Sequence, residues 1–187
     1  IDAALDGIDV VASRDNAVVN SEGVIYAGEA GISAQSTGLN GDSFVTNSGD
    51  ITVDGDLSAS GYAEGIYAES DETASVNNSG AIDVESTTDG YAYGIYADSD
   101  GAGFNAYVNS SGDINVDNYN NDAQGIHAEA DGQTTVIMTG AIDVYAYEDA
   151  AGIYAVSYNG DVSVSAASID VEAYYGEAVG ISANAGD

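Results

Sequence analysis

Cysteine, proline, tryptophan and lysine are missing from this 187-residue chain, and arginine, histidine and methionine occur once each. Without cysteine there are no disulfides, no thiolate metal sites and no thiol nucleophile, and the redox compartment is left undetermined. Arg14 stands alone against 32 Asp and Glu, for a formal charge of −31. Nucleic acid and anionic membrane surfaces are held by Lys and Arg, so neither is expected as a partner. No run of 18 apolar residues offers a membrane-spanning helix, so no membrane insertion is expected. The chain opens on Ile1 with no initiator Met, charged n-region or apolar h-region, and is expected to be a mature or excised segment. The absence of proline means that no backbone donor is missing from a strand ladder.

What is present is an ordinary hydrophobic content of 44% and 24 glycines. The aliphatics are plentiful and regularly placed, so the acid excess does not signal disorder. The tetrapeptide Gly-Ile-x-Ala starts at Gly31, Gly65, Gly94, Gly125, Gly152 and Gly180, at spacings of 34, 29, 31, 27 and 28 residues. A drifting period of roughly 30 is that of a solenoid. Ile-x-Val follows in the same order at Ile51-Val53, Ile82-Val84, Ile114-Val116, Ile142-Val144 and Ile169-Val171, with an expected earlier copy at Ile8-Val10. Between the two lies a third short piece, as in Phe44-Val45, Ser75-Val76 and Tyr107-Val108.

Each piece alternates apolar and polar residues with a period of two, as a half-buried strand requires, and no segment keeps apolar residues at helical spacing. Asn47-Ser48-Gly49, Asn78-Ser79-Gly80, Ser110-Ser111-Gly112 and Met138-Thr139-Gly140 precede the Ile-x-Val pieces as turns, with glycine expected to supply positive φ. The expected fold is all-β: a parallel β-solenoid, or β-helix, of about six coils with three strands per coil, each coil touching only its neighbours. Right-handed winding is expected as the default for parallel crossovers. Residues 1–187 form a single domain in this reading, 1–27 an irregular first coil and 28–187 the regular repeats.

Gly-Ile-Tyr-Ala, an acidic loop, a Val strand, Asn-Ser-Gly and Ile-Asp-Val in that order resemble the passenger repeats of autotransporters and of other large bacterial surface proteins built as β-helices. The resemblance covers about residues 28–187. It implies a secreted, surface-displayed rod, part of an adhesin, a matrix component or a filament. No catalytic motif of such proteins is present.

Three sets of side chains are candidates for function. Asp83, Asp143 and Asp170 occupy the outward slot of Ile-x-Val strands, with Asn115 in the same slot. They repeat without one distinct pocket, so a solvated acidic ladder is expected rather than catalysis, and the chain is not expected to be an enzyme. Glu69 with Asp71, Asp98 with Asp100 and Glu129 with Asp131 follow successive Gly-Ile-x-Ala copies and are candidate ligands for a hard cation, Ca²⁺ above all. The alternative is a diffusely screened acidic surface on a salt-adapted protein. Tyr67, Tyr96, His127 and Tyr154 occupy the outward slot of Gly-Ile-x-Ala and should form an exposed aromatic ladder. Such a ladder could present a platform for carbohydrate rings or a lateral contact between rods, or its rings could simply pack on one another. Neither end shows a polar cap, so further repeats, or another copy stacked end to end, are expected partners.

Overall fold

A computed structural model describes residues 1–38, 40–55 and 61–186, and among these there are strands and no α-helix. Six coils follow one another. The first is β1 (Ile8–Ala12), β2 (Ala17–Ser21) and β3 (Ile25–Ala27); the second is β4 (Ala30–Ser36), β5 (Ser43–Asn47) and β6 (Ile51–Asp54). The third is β7 (Ala63–Ser70), β8 (Ala74–Asn78) and β9 (Ile82–Ser86), and the fourth is β10 (Ala92–Ser99), β11 (Ala106–Ser110) and β12 (Ile114–Asn118). In the fifth, β13 (Ala123–Ala130) and β14 (Thr134–Ala146), and the sixth, β15 (Ala150–Ser157) and β16 (Val162–Ala173), the second and third pieces fuse into one strand. A register shift between Met138 and Ala141 marks the corner they turn. β17 (Ala178–Ala185) lies one strand beyond the sixth coil. The chain is a parallel β-solenoid of three pieces per coil, with the last two coils drawn as two strands.

Every ladder is parallel and joins like to like. The seven-stranded sheet runs β1-β4-β7-β10-β13-β15-β17, and the other sheet gathers the remaining strands in two wings that meet in β14. Ile32, Ile66, Ile95, Ile126 and Ile153 form one column with no exposed surface, and Ile51, Ile82, Ile114 and Ile142 face them from the other sheet at 1% exposure. The first coil departs from expectation. Ile8-Asp9-Val10 pairs with Ile32-Ser33-Ala34, so it is the first copy of the Gly-Ile-x-Ala strand and not of Ile-x-Val. The first Ile-x-Val place is filled by Ile25-Tyr26-Ala27, in register with Ile51-Thr52-Val53. Residues 8–27 thus make an in-register coil, with Val10 and Ala27 standing in for the usual alanine and valine.

Alternation breaks at one place in each coil. Along Ala63–Ser70 both Gly65 and Ile66 are buried, between half-buried Glu64 and Tyr67. A Cβ on Gly65 would lie 2.3 Å from Ile82 Cγ2 and 2.4 Å from the carbonyl oxygen of Gly94 in the next coil. Gly31 stands in the same way against Ile51, Gly94 against Ile114, Gly125 against Ile142 and Gly152 against Ile169. The bare glycine dents the seven-stranded sheet toward the opposite isoleucine, and the two residues flanking the Gly-Ile pair both face outward.

The turn glycines also differ from expectation. Among the described residues only Gly61, Gly103 and Asn40 have positive φ, so Gly49, Gly80, Gly112 and Gly140 are not needed for left-handed backbone. They are needed for stacking, since a Cβ on Gly80 would meet Gly49 O at 2.0 Å and one on Gly112 would meet Gly80 O at 1.9 Å. Inside this corner Asn47 Nδ2 donates to Gly49 O (2.6 Å) and Asn78 Oδ1 (2.9 Å), and Asn78 Nδ2 donates to Gly80 O (2.7 Å) and Ser110 Oγ (3.1 Å). The amide NH2 groups of both asparagines are satisfied along the solenoid axis, while Asn47 Oδ1, at the start of the row, has no partner among the described residues.

Gly125→Ala should lower stability by about 3 kcal/mol, because its Cβ meets both Ile142 Cγ2 and the Gly152 carbonyl at 2.6 Å. Gly180→Ala, which meets nothing within 4 Å, should leave the melting temperature unchanged or slightly raised. Thermal unfolding followed by circular dichroism of the two variants checks the contrast, and equal losses would contradict it.

Candidate functional site

The dent at each Gly-Ile pair gives the seven-stranded sheet three outward columns. Before the dent stand Glu64, Tyr93, Gln124 and Ala151; just after it come Ser33, Tyr67, Tyr96, His127, Tyr154 and Ser182; two residues on are Gln35, Glu69, Asp98, Glu129 and Val156. Because a strand repeats every two residues, Tyr67, Tyr96 and His127 each have the third-column acid of their own strand on their own face, and Tyr154 has Val156 there.

The expected aromatic ladder forms, but its rings are half-buried rather than exposed, because each is covered by its neighbours. Tyr67 and Tyr96 stack with centroids 5.1 Å apart and planes at 15°, Tyr96 and His127 at 4.7 Å and 12°, His127 and Tyr154 at 5.0 Å and 28°. Ring faces are therefore turned on one another and not toward solvent, except at the two ends, where Ser33 pairs with Tyr67 and Ser182 with Tyr154. Tyr93, on the far side of the dent, meets Tyr96 edge-on at 5.2 Å and His127 at 5.8 Å, and it stacks on Tyr91, which stacks on Tyr62. Sequence reasoning missed Tyr93 and Glu64 as members of this face, since strict alternation puts residues i and i+3 on opposite sides. The adjacent Gly-Ile pair in every repeat was the available signal.

The acids expected to bind a cation are engaged by this stack. Tyr67 Oη donates to Glu69 Oε2, Tyr96 Oη to Asp98 Oδ2 at 3.2 Å, and Tyr158 Oη to Glu129 Oε1. His127 Nε2 lies 3.3 Å from Glu129 Oε2, within ion-pairing range but out of line for a hydrogen bond, while Nδ1 sits 3.0 Å from Gln124 Oε1. Asp131 accepts from the Gly103 amide (2.6 Å) and from Asn159, pinning three consecutive loops. Asp71 and Asp100 sit where their backbone amides bond the preceding coil, to Ser36 O and Ser70 O. Among the described residues no three carboxylate or imidazole groups converge as one metal site; the six acids run along the rod as a column and its flanking loops.

Burial and mutual repulsion govern their charge. Desolvation, then Asp100 and Glu129, push Asp98 up to about 7. Desolvation, then Glu29, Asp6 and Glu69, push Glu64 up to about 8. Burial holds His127 below the usual imidazole range, with Glu129 working the other way. Tyr67 and Tyr96 are raised above the ordinary phenol range, first by desolvation and then by their carboxylate partners.

On the other sheet, Asp83, Asn115, Asp143 and Asp170 share one exposed column. Asn115 Nδ2 donates to Asp83 Oδ1 at 2.9 Å, so the amide separates two carboxylates that would otherwise be adjacent. Asp117, in the next column, is raised by desolvation and by Asp83 and Asp143, against the hydrogen bond it receives from Asn115.

Comparison of the chain with protein-family models, with curated proteins and with solved structures finds no match. The chemistry of this face is thus read from its own residues: an aromatic spine, acids tied to it, and a groove at each end.

Glu64 and Asp98 have folded values above their unfolded ones, so protonation favours the fold. Their stabilisation is complete below the ordinary carboxylate range and is lost as pH rises through about 7 and 8. The melting temperature should rise as pH falls from 8.5 to 6, and a Glu64→Gln, Asp98→Asn double variant should flatten that slope. His127, protonated only below its lowered value, opposes the trend at more acid pH. A wild-type melting temperature indifferent to pH between 6 and 8.5 would contradict this reading.

Proposed function

We propose that this chain is a stretch of a structural rod carried outside the cell, one coil being the unit of length and coils stacking on coils end to end. The single observation that supports it is the sameness of the coils. Six successive turns place isoleucine on isoleucine, glycine on glycine and valine on valine in one register, so each coil offers its neighbour the same edge. Covering that edge matters, since Ile153, beneath β17, is 0% exposed whereas Ile181 of β17 is 47% exposed. A structure whose neighbours are interchangeable grows in one dimension, and head-to-tail stacking does not close on itself. The extracellular address rests on the likeness of the repeats to those of autotransporter passengers. The reading as an adhesin platform for sugar rings finds less support along the spine, because its inner rings face one another. Ca²⁺ would act in this reading by screening the acid columns.

Velocity sedimentation of the purified chain at 10 µM to 1 mM in about 1 M NaCl, where the screening length is about 3 Å, tests the reading. Concentration-dependent growth of elongated species is expected, and Ile181→Asp, which puts a carboxylate on the β17 edge, should abolish it. A monodisperse monomer whose β17 amides resist hydrogen exchange would overturn it.

A further inference from the structure

We infer that the groove at the Ser33 end of the aromatic spine binds an organic cation, a guanidinium or alkylammonium group laid on the free face of Tyr67. Along the spine each ring sits one coil from the next, at 4.7 to 5.1 Å, which is about the separation of hydrogen-bonded strands. In the slot next to Tyr67 the register places Ser33. A hydroxymethyl group, 7% exposed, stands there in place of a ring and leaves a space that Ser33 and Tyr67 both line. The space is a groove of about 410 Å³ with Tyr62, Tyr93 and Tyr96 among its walls, Ser33 and Gln35 beside them, and Asp6, Glu29 and Glu64 as its acidic lining.

These walls select the chemistry. Three carboxylates line the groove and, among the described residues, no cationic side chain does, so a neutral sugar could stack on the ring but would leave their repulsion in place. A small hard metal ion would use converging oxygens and gain nothing from the ring. A flat or alkylated cation uses both, since its positive charge is attracted to the ring face and to the carboxylates together. Asp6 is held in place by the Ala30 amide, which donates to Oδ1 at 3.3 Å. Glu64 is carried by the dent itself, three residues before Tyr67. The site is independent of whether coils stack end to end, because residues of β4, β7 and β10, with Asp6, Glu29 and Tyr62 just ahead of β1, β4 and β7, supply its walls.

The test is a calorimetric titration of the whole chain at about pH 9, above the raised value of Glu64, with agmatine, set beside KCl at equal ionic strength, maltotriose, and an end-blocked tetrapeptide holding one arginine. Saturable binding of one agmatine per chain is expected, weakened at least tenfold by Glu64→Gln, lost in Ser33→Tyr, which continues the spine into the slot, and unchanged in Asp143→Asn on the other sheet. Tighter binding of the tetrapeptide than of agmatine would assign the cation to a partner protein's side chain, and the reverse to a free amine; either supports the site. Should Ser33→Tyr fail to fold, Glu64→Gln decides. Heats reproduced by KCl, affinity within twofold of wild type in Glu64→Gln, or saturable binding of maltotriose in place of agmatine would overturn the inference.

Discussion

Everything in this solenoid hangs on the contact between a glycine of one sheet and an isoleucine of the other. In six coils, from Gly7 against Ile25 to Gly152 against Ile169, the Cγ2 methyl of the isoleucine occupies the place a Cβ would take on the glycine. The contact draws the two sheets together and forces two successive inward residues into a strand that otherwise alternates. The same glycine lies so close to the glycine carbonyl of the next coil that coils must stack in register. A shift by one residue would drive a side chain into that carbonyl and turn the isoleucine column outward. The cross-section of the rod, its register and its dented outer face therefore share one cause.

The dent is also what makes a surface of stacked strands into a place where chemistry can happen. A flat sheet would set Tyr93 and Tyr96 on opposite faces, yet here they meet edge to face at 5.2 Å. Glu69, Asp98 and Glu129, the acids that accompany the aromatics, are handled pair by pair, each accepting a hydrogen bond from a tyrosine hydroxyl. On the opposite face Asn115 interrupts the aspartate column. A chain with a formal charge of −31 keeps its outer columns tolerable by dilution and local hydrogen bonding, and the charged form is penalised most at Glu64 and Asp98, first by burial and then by neighbouring acids.

The architecture was legible because repetition amplifies a weak signal: one Ile-x-Val says little, whereas five in fixed order after Gly-Ile-x-Ala can satisfy their backbone only by stacking. The aromatic spine at Tyr67, Tyr96, His127 and Tyr154 was legible for the same reason. The first coil was misread at Ile8-Val10 because Ile-Asp-Val fits both strand patterns locally, and only the preceding Gly7 tells them apart. Positive φ was the wrong reason for the turn glycines, since crowding between neighbouring coils is invisible to a local reading. The candidate cation ligands were identified by type and spacing, but spacing along one loop could not show that Glu69, Asp98 and Glu129 run as a ladder with aromatic partners. The groove at Ser33 was out of reach, because it exists through the residue that fails to continue a column.

The most direct test of the central contact is a double-mutant cycle between Gly125 and Ile142, with unfolding free energies measured for the wild type, Gly125→Ala, Ile142→Ala and the pair. If the isoleucine methyl fills the space that the glycine leaves, the added Cβ should be better tolerated once Ile142 is trimmed, and the pair should lose less than the sum of the single losses by about 1 kcal/mol or more. Additive losses would mean that the two residues do not compete for one space, and would contradict the account.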